Sequence, residues 1–393
     1  MAGGNYSGLL EAMEESFAGL MERVVEERGE HRGDPGCAGS QSPLAVVSPR
    51  RASEVELLAQ MCARRSVPVI PEGAGTAGAA PPAGRHVVVR FDAMRRSWPP
   101  QRPDHSVTVE PGLSWFELEE RLRGHGRATS VYPTSALRAT VGGWLASDGI
   151  GVGSYEFGWL SENVLAAGVV TSDGGRHEID GAYLGHVLRG GGRSGLIVSV
   201  TLRTRAAGVD TPFAVDFGSG ERLAQALSEV CSRRLPVWHL GFQNAAMARS
   251  QASSANAVMF GAYPAERSAR VEGDLEEIAF GNRGVPTRAA ETYRLWGNRF
   301  FPVSPGREAP IPGRVLLSVD SLGPALSAIG SRLGEVAILG SLARGKEALL
   351  RVFDFDGRRP LSLTGVRLGI LLELVEELGG SAYPGSGQPE VRA

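Results

Sequence analysis

The stretch from Ala139 to Gly158, ATVGGWLASDGIGVGSYEFG, limits what this chain can fold into more than any other. It is dense in glycine and includes the adjacent pair Gly142-Gly143. Adjacent glycines let backbone approach another surface closely and permit positive φ. Directly after it, Asn163 to Asp173, NVLAAGVVTSD, reads as a buried strand ending in an S-D-G hairpin turn. Taken alone, such a loop is ordinary turn chemistry. Two further glycine clusters, Gly73 to Gly78 and Gly190 to Gly195, make it one of a set.

Composition narrows the class. At 393 residues the chain is long enough for two or three cores. Its net charge is −2, and no basic block stands out, which argues against a nucleic-acid surface. Lys346 is its single lysine, a bias of composition with no binding role implied. The cysteines Cys37, Cys62 and Cys231 have no metal-ligand spacing, and their odd number does not suggest a disulfide framework. A reduced, cytoplasmic setting is the expectation. No apolar run reaches about 18 residues, so no transmembrane helix is expected. The first residues, MAGGNYSGLLEAMEE, are acidic and lack the apolar core of a signal peptide.

Along the chain, residues 8 to 28 repeat apolar side chains at three- to four-residue spacing, predicting an amphipathic helix. Ser53 to Glu56 and Ser114 to Glu117 read as capping boxes opening helices to about Arg64 and Gly124. Strands are predicted at Val67 to Ile70, His86 to Phe91, Ser106 to Val109, Arg176 to Ile179 and Gly195 to Leu202. A composition shift from Thr204 to Thr211 reads as a linker. Beyond it, strands and helices alternate with few glycine clusters and no loop suited to a phosphate. The pairs Glu335 to Leu339 and Leu349 to Phe355, and a long helix from Leu361 to Leu378, suggest an α+β domain with an antiparallel sheet. The expected division is an N-terminal helix and connector (1–40), a ligand-binding domain (41–207), a cap (208–383) and a tail (384–393).

A phosphate is best held by backbone N–H groups in a concave loop or at a helix N-terminus, where side chains would obstruct it. Pro71-Glu-Gly-Ala-Gly-Thr-Ala-Gly78 directly follows a predicted strand and suits that task. Its spacing is not that of a dinucleotide-binding G-x-G-x-x-G, and it lacks the G-K-[ST] of a Walker loop.

The order of motifs is P-x-G-x-G-T, A-T-V-G-G-W-L-A-S, N-V-L and G-G-G-R-S-G-L-I-V-S-V-T-L. It resembles the PCMH-type FAD-binding domain of the vanillyl-alcohol oxidase superfamily. The nearest branch holds glycolate oxidase FAD subunits, D-lactate dehydrogenases and alkyldihydroxyacetonephosphate synthases. The resemblance covers about Ser42 to Arg205 and continues more weakly to about Tyr383. It implies an α+β fold, a two-subdomain FAD-binding domain followed by a cap. By resemblance, Pro71 to Gly78 form the pyrophosphate loop, with the amides of Gly73, Ala74, Gly75, Thr76 and Ala77 on the FAD. Pro133, Thr134 and Ser135 would lie beside the flavin, and Thr140, Gly142 and Gly143 along it. Gly192, Gly195, Leu196, Ile197 and Val198 would border the cofactor. Thr76 stands near where covalently flavinylated relatives have histidine, so a non-covalent flavin is implied. Glu72 and Gly191 depart from the family's arginine and glutamate at those positions.

Relatives carry G-H-x-G-D-G-x-x-H and G-E-H-G in the cap. The corresponding Gly340 to Lys346 and Tyr383 to Gly387 contain no histidine, and all seven histidines fall at or before His239. No metal site is expected. Leu295-Trp-Gly-Asn-Arg299 matches the family's L-W-x-x-R, where a guanidinium could hold a substrate carboxylate in bidentate fashion. A surface arginine fits that position equally well. Trp296 reads as packing, and each histidine as ordinary solvated or packed imidazole. Tyr293 or Glu291 could supply the base that the cap lacks. The leading expectation is an FAD-dependent oxidoreductase for a small 2-hydroxy acid or related alcohol. Alternatives are a flavin-binding subunit of a larger complex, with an electron acceptor or partner subunit, and a non-redox biosynthetic flavoenzyme.

Overall fold

The computed structural model describes residues 6–23, 43–76, 84–101, 105–300 and 310–383. Within them the chain divides into two compact units. The first comprises Met1–His125, Leu137–Asp148 and Val164–Thr204; the second comprises Gly126–Ala136, Gly149–Asn163 and Arg205–Ala393.

Two sheets build the first unit. In one, Ala45–Val47 and Val69–Glu72 flank Val87–Arg90 in parallel, and Met21–Arg23 adds an antiparallel edge. The helix Ala52–Ala63 makes the crossover that parallel strands require. Its Val55, Leu58 and Cys62 are buried with Val47, Val87 and Val89, so the β-branched strands and one helix stripe share a core. The second sheet is antiparallel, in the order Ser97–Gln101, Ser106–Val109, Leu196–Ala206, Val164–Val170 and Arg176–Asp180. The last two form the expected hairpin, closed by Asp173 accepting from the Gly175 amide.

The second unit is one nine-stranded antiparallel sheet. The helices Gly220–Arg233, Ser268–Gly281, Leu322–Leu333 and Gly365–Glu377 bury their apolar stripes against one face. The other face carries Leu339, Phe353 and Phe260 in one apolar cluster and Ala343, Leu349 and Tyr383 in another. The α+β class and the antiparallel second sheet are as the sequence led us to expect.

Several local expectations were wrong. The helix predicted over 8–28 ends at Ser16, and Met21–Arg23 is a strand. Gly19 at φ +74° turns the chain between them, and Met21 pairs with Val47 across the sheet. Ser53 caps nothing, because the helix begins at Ala52 with Arg51 as its N-cap. The Ser114 capping box does form, with the Ser114 side chain accepting from the Glu117 amide. The linker expected over Thr204–Thr211 is mostly strand: Leu196–Ala206 and Asp210–Asp216 leave only three residues between them. Val141–Ser147 is a short helix capped by Thr140 where a glycine loop was expected. The tail 384–393 and the connector from residue 29 to 39 lie outside the described residues.

Candidate flavin cradle and cap site

The strand Val69–Glu72 delivers its backbone into the loop that starts at Gly73. A Cβ placed on Gly73 would stand 3.0 Å from Thr140 Oγ1 and 3.3 Å from Gly143 Cα. A Cβ on Gly192, at φ +82°, would stand 2.3 Å from Pro71 Cγ. Gly191 donates its amide to the Ala146 carbonyl at 2.9 Å. Arg189 Nε donates to the buried Asp148 carboxylate at 3.1 Å. The three glycine loops, far apart in sequence, therefore form one assembly in the first unit. Only side-chain-free backbone permits these approaches.

Individual residues take different parts in it. Gly75, Thr76 and Gly143 are exposed, so their backbones face outward and can meet a ligand. Gly75 has φ +68°, and among the described residues nothing lies within 4 Å of its Cβ position. Thr140 accepts from the Gly143 amide at 3.3 Å and so orients the second loop. Gly142, expected along the cofactor, is buried, and a Cβ placed on it would stand 2.5 Å from Pro111 Cβ, so packing explains that glycine. Leu196 and Val198 lie in the hydrophobic core with side chains turned inward, and Ile197 is buried as well. Gly195 packs on Val169 and Val170. Ala74 is half-buried; Ala77 and Gly78 fall outside the described residues. Glu72, which stands where relatives have arginine, is bonded by Arg90 at 3.3 Å.

Pro133, Thr134 and Ser135 belong to the second unit. There Tyr132, just before them, stacks on Phe300 at 5.8 Å and accepts from Arg299 Nε at 3.0 Å. The Arg299 guanidinium lies over the rings of Trp296 (4.1 Å) and Phe300 (4.2 Å) and donates to the Trp296 carbonyl. Trp238 meets Trp296 edge to face at 5.9 Å, and His239 completes the group at 5.8 Å from Trp296. Arg299 is thus held in an aromatic cage, not spread on the surface. Tyr293 is 65% exposed. Glu291 is engaged by Ser253 and Arg294. Of the cage residues, the sequence reading singled out Arg299 and Trp296 but missed Tyr132, Trp238, His239 and Phe300. The available signal was adjacency: Tyr132 precedes the Pro-Thr-Ser motif, and Phe300 follows Arg299.

His239 was read as ordinary, but it sits in a demanding place. Its Nδ1 accepts from the Gly153 amide at 3.4 Å. Burial first, then the charges of Arg299 and Arg351, push it from 6.5 down to about 3. Above pH 6.5 both folded and unfolded chains keep this ring neutral. Below it, the unfolded chain takes up a proton that the folded chain refuses, so stability falls as pH drops toward about 3. Thermal melts from pH 7 to 4 are expected to show a loss approaching 1.4 kcal/mol per pH unit from this group. His239→Gln is expected to flatten that slope; an unchanged slope would reassign it to other groups.

Gly340 to Lys346 forms the end of the strand Val336–Ala343 and the turn after it. Arg344 pairs with Glu162, and Lys346 lies 3.6 Å from Asp320. Among the described residues, no group of three or more His, Cys, Asp or Glu side chains is placed to hold a metal. Cys62 and Cys231 are free thiols, both pushed up to about 12 by burial. No helix among the described residues is long and apolar enough to cross a membrane.

Residues 43–180 match the FAD binding domain family. The D-lactate dehydrogenase [cytochrome], mitochondrial, of Arabidopsis thaliana is 30% identical over 174 residues, covering 41% of this chain and 30% of that protein. Glycolate oxidase subunit GlcD of Bacillus subtilis is 25% identical over 134 residues, covering 34% of this chain and 28% of that protein. The chain thus matches under a third of either relative's length. The 4-ethylphenol oxidase from Gulosibacter chungangensis superposes with a TM-score of 0.76 at 14% identity, over 98% of this chain and 90% of that one. The likeness at that identity is one of fold.

Proposed function

We propose that this chain, whose residues 43–180 match the FAD binding domain family and whose fold is like that of a 4-ethylphenol oxidase, is an FAD-dependent oxidoreductase for a small 2-hydroxy acid or related alcohol. The observation that carries the reading is the convergence of Pro71, Gly73, Thr140, Gly143 and Gly192 into one cradle whose three glycines leave little room for a Cβ. The exposed amides of Gly75 and Thr76 would hold the pyrophosphate, with Gly143 passing close beside it and residues 41–207 as the flavin domain. Residues 208–383 would form the substrate side, with Arg299 binding the carboxylate. The flavin supplies the redox chemistry when bound; the protein's part is to position the substrate and exclude water. Arg299 suits positioning, because Tyr132 and the Trp296 carbonyl fix its fork before a substrate arrives.

Threonine at position 76 favours a flavin bound without a covalent link. The purified protein is expected to be yellow, and acid precipitation to leave a yellow supernatant. A yellow pellet would defeat the non-covalent part, and a colourless protein that FAD cannot reconstitute would defeat the whole reading.

A second reading is a flavin-carrying subunit of a larger oxidoreductase. It is favoured by the absence of histidine after His239, and one relative is named a subunit. Flavin bleaching by hydroxy acids in the isolated chain supports the first reading; a stable heteromer without such bleaching supports the second. Residence in the cytoplasm belongs to the same proposal and rests on the free cysteines.

A further inference from the structure

On the face of the second unit's sheet away from its four long helices, a polar seam separates the two apolar clusters. Gln243 pairs with Leu339, Leu339 with Arg351, and Arg351 with Arg314, across four neighbouring strands. Directly paired residues point to the same side, so Gln243, Arg351 and Arg314 share this face. Arg351 is 7% exposed. Its Nη1 donates to Ser341 Oγ and its Nη2 to the Ile150 carbonyl, both at 3.1 Å. Both partners are neutral, while a second guanidinium, Arg314, stands opposite. The carboxylate that these strands place on this face, Glu347, lies about 13 Å along the strand and accepts from Trp159. Buried charges are normally answered by a counter-charge or pay a large desolvation penalty.

Gln243 adds an independent sign. It is 1% exposed, and among the described residues its Nε2 has no hydrogen-bond partner. An orphaned buried donor is costly and rare, so it calls for an acceptor from outside the chain. His239 supplies another donor. Because its Nδ1 accepts from the Gly153 amide, the neutral ring carries its hydrogen on Nε2. That atom lies over Gly241, the residue paired with Ser341.

We infer that this seam is a subsite for an anionic oxygen group of the ligand, a carboxylate or a phosphate. Arg351 provides the charge, and Gln243 Nε2 and His239 Nε2 provide further donors. The inference rests on reading this unit as the substrate side. It deepens that reading: Arg299 lies over Trp296, whose ring stands 5.8 Å from that of His239, so the preferred substrate carries a second anionic group beside the carboxylate assigned to Arg299.

The test is calorimetric titration of the full-length, FAD-loaded protein with malonate and with inorganic phosphate. At least one anion is expected to bind, and Arg351→Met to weaken it roughly ten- to a hundredfold. Binding of malonate alone identifies a second carboxylate; binding of phosphate alone identifies a phosphorylated substrate. Arg351→Met replaces a buried charge with an apolar chain of similar length, so its melting temperature should hold or rise. If that variant fails to fold, Gln243→Leu decides, with weaker anion binding at unchanged or raised stability expected. No anion binding by the unaltered protein overturns the subsite, as does equal binding by Arg351→Met or by Gln243→Leu. Arg351-dependent anion binding without oxidation of any hydroxy acid would leave the subsite standing and defeat the function proposed above. Oxidation without Arg351-dependent binding would do the reverse.

Discussion

Gly143→Val is expected to fold and to purify with less than about a tenth of its FAD. A Cβ at this position would stand 2.9 Å from Thr140 Oγ1 and 3.7 Å from Gly73 Cα. The branched side chain then fills the gap between two of the converging loops. It also displaces the hydroxyl that caps Val141–Ser147, at a typical cost of about 1 kcal/mol. Overpacking adds about 1–3 kcal/mol. A domain with about 5–15 kcal/mol of stability survives that, but a loss of about 1.4 kcal/mol in cofactor binding is already tenfold. Gly142→Val makes the contrast. Its Cβ would meet Pro111 at 2.5 Å in a buried site, so the expected loss there is soluble protein rather than flavin. Gly75→Val strains a backbone at φ +68° but has room for its side chain, and should also reduce flavin content. The ratio of visible to ultraviolet absorbance and a thermal melt read both quantities. Stoichiometric FAD in both Gly75→Val and Gly143→Val would refute the cradle.

Arg299→Ala is expected to lower kcat/KM for an acid substrate about ten- to a hundredfold, the worth of a charge-assisted bidentate contact of about 1.5–3 kcal/mol. The structure sharpens this prediction. The guanidinium is stacked over Trp296 and Phe300 and bonded to Tyr132, so alanine also removes packing. Arg299→Lys separates the two effects: it keeps the charge but loses the planar fork and the stacking, and should recover only part of the rate. An alcohol substrate without a carboxylate should lose little in either variant. Unchanged kcat/KM for the acid in Arg299→Ala, with the melting temperature preserved, would remove Arg299 from the substrate site.

How much of this was readable beforehand differs from place to place. The strand Ser106–Val109, the end of the helix Ala52–Ala63 and the Ser114 capping box were predicted to the residue or nearly so. Each is specified by neighbours in the chain: alternation, a 3.6-residue stripe, or a cap three residues from its partner. The helix expected through residue 28 failed because pairing of Met21–Arg23 with Ala45–Val47 outweighed local periodicity. The adjacent glycines of the central stretch looked alike in sequence. Only packing separated them, Gly142 against Pro111 and Gly143 toward Gly73.

By itself the sequence determined the order of the glycine loops, and with it an α+β flavoprotein fold and FAD. It also determined that no histidine follows residue 239, because chemistry requires the residue type before geometry can place it. Tertiary structure decided which backbones meet, since Pro71 and Gly192, or Gly73 and Gly143, become neighbours only when distant strands pack. It likewise decided the surroundings of single side chains. Strand pairing sets Arg351 opposite Arg314 and leaves Gln243 buried without an acceptor among the described residues; burial and two nearby guanidinium groups hold His239 neutral. Register across a sheet and removal from water depend on the whole fold, and no local pattern in the chain encodes either.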